Sequence, residues 1–390
     1  MSHLSRLSLR LFLLLLLAIA LNGCGLFGGD EEEDPPAELV KFKASLKIRK
    51  AWSAGIGGDS ENLRLALAPS SDGSRVFAAA HDGRVAAFEV DKGKKLWSTK
   101  TKLPLSAGPA FGADLVVMGS SDGDVIALNA DNGAELWRVG VSSEVLAAPA
   151  VTDTLVLVRT VDGKLLALQT DDGSEAWFVQ QQVPRLSVRG TGSPVVAGSA
   201  VIAGFDNGKI AAYELSNGSP LWDIMLNPPT GRTEVERLAD LNSTVTIIGD
   251  DIYVTAYQGS LSALALESGQ SLWSREISSY NGAAADFINV YVSDSASEIH
   301  AMSRRSGREV WRNDSLHQRD ITGPAVVGNS VVVGDFEGYV HWFSATTGEL
   351  EARMKAGGKH ITAAPLVVGN TVLVLSDGGK LFAFRELPGK

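Results

Sequence analysis

Asp122-Gly123-Asp124-Val125-Ile126-Ala127-Leu128-Asn129-Ala130-Asp131-Asn132-Gly133-Ala134-Glu135-Leu136-Trp137 decides the fold. Asp122-Gly123 and Asn132-Gly133 are dipeptides that tolerate positive φ and favour tight hairpins. Between them, Val125–Leu128 is a short apolar run of strand length, and Glu135-Leu136-Trp137 begins another strand. Upstream, Leu115-Val116-Val117-Met118 reads as a largely buried strand. Downstream, Ala148-Pro149-Ala150-Val151 supplies a fourth before the pattern restarts.

The same unit recurs along nearly the whole chain. Gly83 precedes Trp97 by 14 residues, and the register repeats at Gly123/Trp137, Gly163/Trp177, Gly208/Trp222 and Gly259/Trp273. It is weaker at Ser297/Trp311, where the glycine is lost, and at Gly338/Ala352, where the tryptophan is lost; Gly379 is the last anchor. The eight anchors are 40, 40, 45, 51, 38, 41 and 41 residues apart. A period of this length marks a supersecondary unit that cannot bury its own apolar face and must stack on its neighbours.

Four antiparallel strands repeated eight times make an eight-bladed β-propeller, an all-β fold. A continuous β-solenoid is the alternative, but its rungs need neither alternating tight turns nor one tryptophan per unit. The eighth copy begins at Gly379 and the sequence stops at Lys390, before its tryptophan strand; Ala51-Trp52 supplies that piece. The N-terminal strand is therefore expected to complete the last blade and close the ring.

Recurrence also explains residues that resemble sites. Asp82, Asp122, Asp162, Asp206 and Asp377 each stand one or two residues before a turn glycine and read as turn formers. Trp52, Trp97, Trp137, Trp177, Trp222, Trp273 and Trp311 read as packing between blades. No nucleophile elbow, paired-histidine zinc motif or phosphate-binding loop is present. No catalytic, metal or cofactor site is expected.

Arg6 and Arg10 precede the apolar run Leu11 to Ala20, and Leu21-Asn22-Gly23-Cys24 follows. Residues 1–23 read as a secretory leader, too short and wrongly flanked for a membrane span. Cys24, the only cysteine, reads as the processing and lipidation site, so intrachain disulfides are not expected. The following Asp30-Glu31-Glu32-Glu33-Asp34-Pro35-Pro36 makes residues 24–43 an acidic, extended tether, with the propeller over residues 44–390. The formal charge of −10 becomes more negative by two when Arg6 and Arg10 leave, which disfavours nucleic-acid binding.

The repeats resemble those of quinoprotein dehydrogenases, which bind pyrroloquinoline quinone in an eight-bladed propeller. That resemblance gives the alternative reading, a periplasmic quinone-dependent dehydrogenase. The family's neighbouring cysteine pair is missing here, and fold alone does not confer the chemistry.

Two long insertions break the even spacing, Gln181–Gly190 and Pro228–Asn242. Apolar residues beside arginine and aspartate on neighbouring loops have the composition of a protein-binding patch. Together with the lipobox, the acidic tether and the eight repeats, Leu186-Ser187-Val188-Arg189-Gly190 and Glu236-Arg237-Leu238-Ala239-Asp240 resemble the BamB family, propeller lipoproteins of the outer-membrane β-barrel assembly machinery. The resemblance implies a non-catalytic accessory subunit without cofactor, anchored in the outer membrane through Cys24 and facing the periplasm. It implies that Leu186, Val188, Arg189 and Asp240 contact the periplasmic POTRA domains of BamA, and that unfolded outer-membrane proteins are clients. A second acidic position of the family falls on Asn242, which keeps hydrogen bonding and gives up the charge.

Overall fold

A computed structural model describes residues 34–58, 63, 65, 67–187, 192–230, 232–233, 235, 237–239, 241 and 243–387. The chain divides into two compact units, residues 1–36 and 37–390. Eight four-stranded antiparallel sheets make up the second unit. The blade built around Asp122–Trp137 contains strands Leu105–Gly112, Leu115–Ser120, Asp124–Asn129 and Glu135–Gly140, paired in that order. Tight turns join them at Asp122-Gly123 and Asn132-Gly133, as the sequence predicts.

First strands of consecutive blades approach one another and so surround the axis, as Ala284–Ala285, Ala325–Val327 and Leu366–Val368 do. The fourth strands form the rim; all but Leu350–Lys355 carry a tryptophan, and in Glu135–Gly140 and Glu175–Gln180 four of the six residues are exposed. Because adjacent strands are antiparallel, connections alternate between two ends of the ring. Turns between second and third strands share one end with the long links between blades, here termed the loop face. Hairpins between third and fourth strands lie on the opposite end, the hairpin face.

One geometric unit is repeated at seven seams. The indole N–H of each rim tryptophan donates to a main-chain carbonyl of the next blade: Trp52 to Val90 at 2.8 Å, Trp97 to Ala130 at 2.8 Å, Trp137 to Thr170 at 2.7 Å and Trp177 to Leu215 at 3.0 Å. Trp222, Trp273 and Trp311 do the same to Leu266, Arg304 and Ala345. The ring lies beneath the hairpin glycine of that next blade. A Cβ on Gly133, whose φ is +72°, would lie 2.5 Å from Trp97, so closeness and backbone conformation both require glycine there. The tryptophans are therefore clamps between blades, as expected from their recurrence.

Closure is by the N-terminal strand. Ile48–Gly55 pairs antiparallel with Lys380–Glu386, from Ile48 opposite Glu386 to Gly55 opposite Lys380. Trp52 stands opposite Ala383, just as Trp97 stands opposite Ala87 and Trp137 opposite Ala127. Before this strand, residues 37–47 lie against the seventh blade: Ala37 N–H donates to the His317 carbonyl, and Arg319 and Arg353 donate to the carbonyls of Ala37 and Val40.

The two irregular repeats have physical explanations. Ser297 takes the glycine's place with φ +66°, in a turn whose Ala296 and Glu298 N–H groups donate to Asp294 Oδ1. In the seventh blade the tryptophan has moved across the strand pair, so Trp342 on the third strand faces Ala352 on the fourth. The eighth blade has no hairpin after Glu386, because its fourth strand comes from the other end of the chain. A tryptophan at position 352 would have no hairpin glycine to pack beneath.

Candidate functional site

The insertions lie on the loop face, between the third and fourth blades and between the fourth and fifth. The first leaves strand Glu175–Gln180 and carries exposed apolar groups, Val183 at 39% and Leu186 at 42%, around the exposed Arg185. Gln181 holds its base through a 2.9 Å hydrogen bond to the Tyr213 hydroxyl. The second leaves strand Pro220–Met225, and Asn227 Nδ2 ties it to the Tyr257 carbonyl at 3.1 Å. Its outer part exposes Val235 at 59%, with Arg232 and Arg237 also exposed.

Alternating burial fixes the return of this second loop. Ala239, Leu241, Ser243 and Val245 are all buried. Leu241 N–H donates to the Phe205 carbonyl, and the Ser243 hydroxyl donates to the Thr255 carbonyl at 2.9 Å. Of the residues singled out from sequence, Leu186 is described and exposed. Val188, Arg189, Asp240 and Asn242 lie outside the described residues, as does Cys24. Their described chain neighbours are Leu186 and Ser187 on one loop and Ala239 and Leu241 on the other.

Asp206 corrects the sequence reading of it as a turn former alone. It is 4% exposed and ion-paired with Arg159, also 4% exposed. Arg159 lies 5.8 Å from the Phe205 ring centroid, and its Nε and Nη1 make no hydrogen bond among the described residues. Phe205 also accepts the Leu241 N–H, so this buried pair adjoins the base of the second insertion. Sequence contained the signal. Arg159 ends the apolar strand Leu155–Arg159 at a register position held by Ala79, Gly119, Gly204, Thr255, Ser293 and Gly334 in other blades.

A second polar cluster lies in the sixth blade, where Asp294, Glu298 and His300 place ligand atoms within 4.8 Å of one another. The protein's own side chains occupy these carboxylates: Arg312 pairs with Glu298, His317 Nδ1 also faces Glu298 at 3.4 Å, and His300 bonds Asp294 at 3.1 Å and Glu309 at 3.2 Å. It is an ion-pair network within a blade. The mouth of the axis holds a cavity of about 190 Å³ lined by Ser193, Ser243, Thr244, Asn281 and Thr362. No carboxylate or cation lines it among the described residues, so it offers no charged partner for the quinone cofactor of the alternative reading.

Comparison with known proteins identifies the family. The family model described as outer membrane protein assembly factor BamB matches residues 81–313 and 295–390. The chain belongs to the BamB family. It is 47% identical to the outer membrane protein assembly factor BamB of Pseudomonas aeruginosa over 371 residues, covering 95% of this chain and 97% of that one. The crystal structure of BamB from Moraxella catarrhalis superposes with a TM-score of 0.79 at 26% identity, over 87% of this chain and 100% of that one. A europium-containing methanol dehydrogenase superposes with a TM-score of 0.70 at 14% identity, covering 87% and 93% of the two chains, a likeness of fold alone.

Proposed function

We propose that the two insertion loops dock the periplasmic POTRA domains of BamA, with Leu186, Val188 and Arg189 on one loop and Asp240 and Asn242 on the other forming the contact. The observation that carries this reading is the pairing of exposed apolar side chains at Leu186, Val183 and Val235 with loop bases pinned by buried residues on adjoining blades. Exposed apolar groups beside charge on a rigid support match the composition and preorganisation of protein-binding surfaces.

As a BamB-family member, the chain is a non-enzymatic scaffold of outer-membrane assembly, a lipoprotein facing the periplasm. Acylation at Cys24 is the anchor in this reading, and of residues 24–43 the part before Ala37 provides the tether, since residues 37–43 lie against the seventh blade. Holding a rigid ring near a membrane-bound partner raises its effective concentration there. Unfolded outer-membrane proteins are the clients proposed for the assembled machinery.

Arg189→Glu combined with Asp240→Arg reverses two charges. Binding to the isolated POTRA domains is expected to weaken by about 2–5 kcal/mol if the charges are desolvated in the interface, and by less at an exposed rim. Isothermal titration alongside circular dichroism separates lost recognition from misfolding. Unchanged affinity in the folded variant rejects this patch as the main contact.

A further inference from the structure

The seam between the seventh and eighth blades differs from the other seven in having no rim tryptophan and no hairpin. On the hairpin face it opens a cavity of about 210 Å³. Leu46, Ile48, Val327, Trp342, Val372 and Phe384 provide apolar lining, and Glu386 stands at its edge. Val327-Gly328 and Gly369-Asn370, from the first turns of the two blades, together with the polar Ser330 and Arg385, complete the walls.

The other seams show what this space fits. In each of the seven, an indole enters from a rim β-strand and donates its N–H to the carbonyl seven residues beyond the turn anchor: Val90 after Gly83, Ala130 after Gly123, and so on to Ala345 after Gly338. Seven residues beyond Gly379 is Glu386, on the edge of the cavity. Apolar protein cavities of about 150 Å³ accept benzene, so one of this volume has room for an indole. We propose that the closing seam is a binding site for a tryptophan side chain of a partner polypeptide, with the Glu386 main-chain carbonyl accepting its indole N–H. The partner class is an extended polypeptide, because all seven internal precedents present the ring from a β-strand. This site is independent of the insertion loops, which lie on the other face of the ring.

The probe is N-acetyl-5-fluorotryptophan amide, followed by fluorine NMR on the full mature chain. Saturable broadening and shift are expected with the wild type. Ala352→Trp, which supplies a rim tryptophan from within, and Val327→Phe, which narrows the cavity from the other wall, should each weaken binding by about tenfold or more. An analogue with benzothiophene in place of indole should bind several-fold more weakly, because it lacks the N–H. Arg189→Glu with Asp240→Arg should leave probe binding unchanged. No saturable shift with the wild type, or equal shifts in folded Ala352→Trp and Val327→Phe, overturns the proposal. So does binding that appears only after residues 388–390 are deleted, which would make the chain's own terminus the occupant.

Discussion

At the scale of single residues, the energetic extremes are the buried charges, because an ion removed from water depends on its partner. Asp206→Ala leaves the Arg159 guanidinium buried without a counter-ion and is expected to cost about 3–5 kcal/mol, read by urea unfolding. Replacing both at once, Arg159→Met with Asp206→Leu, should recover much of that loss, since the pair's attraction is offset by its desolvation. Loss of POTRA binding by the folded double variant would further show that the pair positions the second insertion. At the other end of the chain, Cys24→Ala should abolish metabolic acyl labelling and release the protein from the outer membrane in cells lacking its partners. Several acyl chains, at about 0.8 kcal/mol per buried CH₂, account for durable anchoring.

At the scale of the element, one repeat position gives opposite proton chemistry in adjacent blades. His300 and His341 each stand three residues beyond the turn anchor, and each bonds an aspartate at 3.1 Å, Asp294 and Asp335. Burial pushes His300 down, but its bonds to Asp294 and Glu309 outweigh burial and hold it above the ordinary 6.5. Burial also pushes His341 down, and there the shift remains downward, with Arg353 and Arg319 adding to it. The neutral ring fits the geometry, its Nδ1 accepting from Arg353 Nε at 3.3 Å while Nε2 faces Asp335. Stabilisation from His300 is complete below about pH 6.5 and is lost as pH rises through its raised value. The contribution of His341 weakens below about pH 6.5, where the unfolded chain takes up a proton that the folded ring refuses. The melting-temperature gap between wild type and His300→Gln should therefore be wider near pH ~5.5 than near pH ~8.5, and the gap for His341→Gln should change in the opposite direction.

At the scale of the whole molecule, closure makes the two ends of the propeller interdependent. The strand Ile48–Gly55 completes the last blade, and Trp52 also clamps the first blade through Val90. Deleting residues through Gly55 removes both, together with the packing of the half-buried Trp52 ring and its hydrogen bond to Val90. Such a chain should melt far lower, whereas deletion of Asp30–Pro36 should leave the melting temperature nearly unchanged. Similar melting of the two purified variants would contradict closure by this strand. The europium-containing methanol dehydrogenase likeness lives at this scale too, where ring architecture is shared and the side chains at its faces are free to differ.

The ring was legible in the sequence because a propeller repeats a local rule. Turn dipeptides, short apolar runs and a tryptophan 14 residues after each anchor are all within reach of one window. Counting them gave eight blades, the closing strand and the structural role of the tryptophans. The insertion loops were visible as interruptions of that count, whereas Leu186 within them was singled out by the family resemblance. Tertiary structure decided what depends on neighbours distant in sequence. It placed Arg159 against Asp206, 47 residues away, where local spacing had read only a turn. Ala352 appeared as a lost tryptophan until pairing showed Trp342 opposite it and no hairpin beyond Glu386 to receive a ring. Repetition fixes what each blade does alone, but the character of a seam depends on which two pieces of chain meet there, and at the closing seam they come from opposite ends.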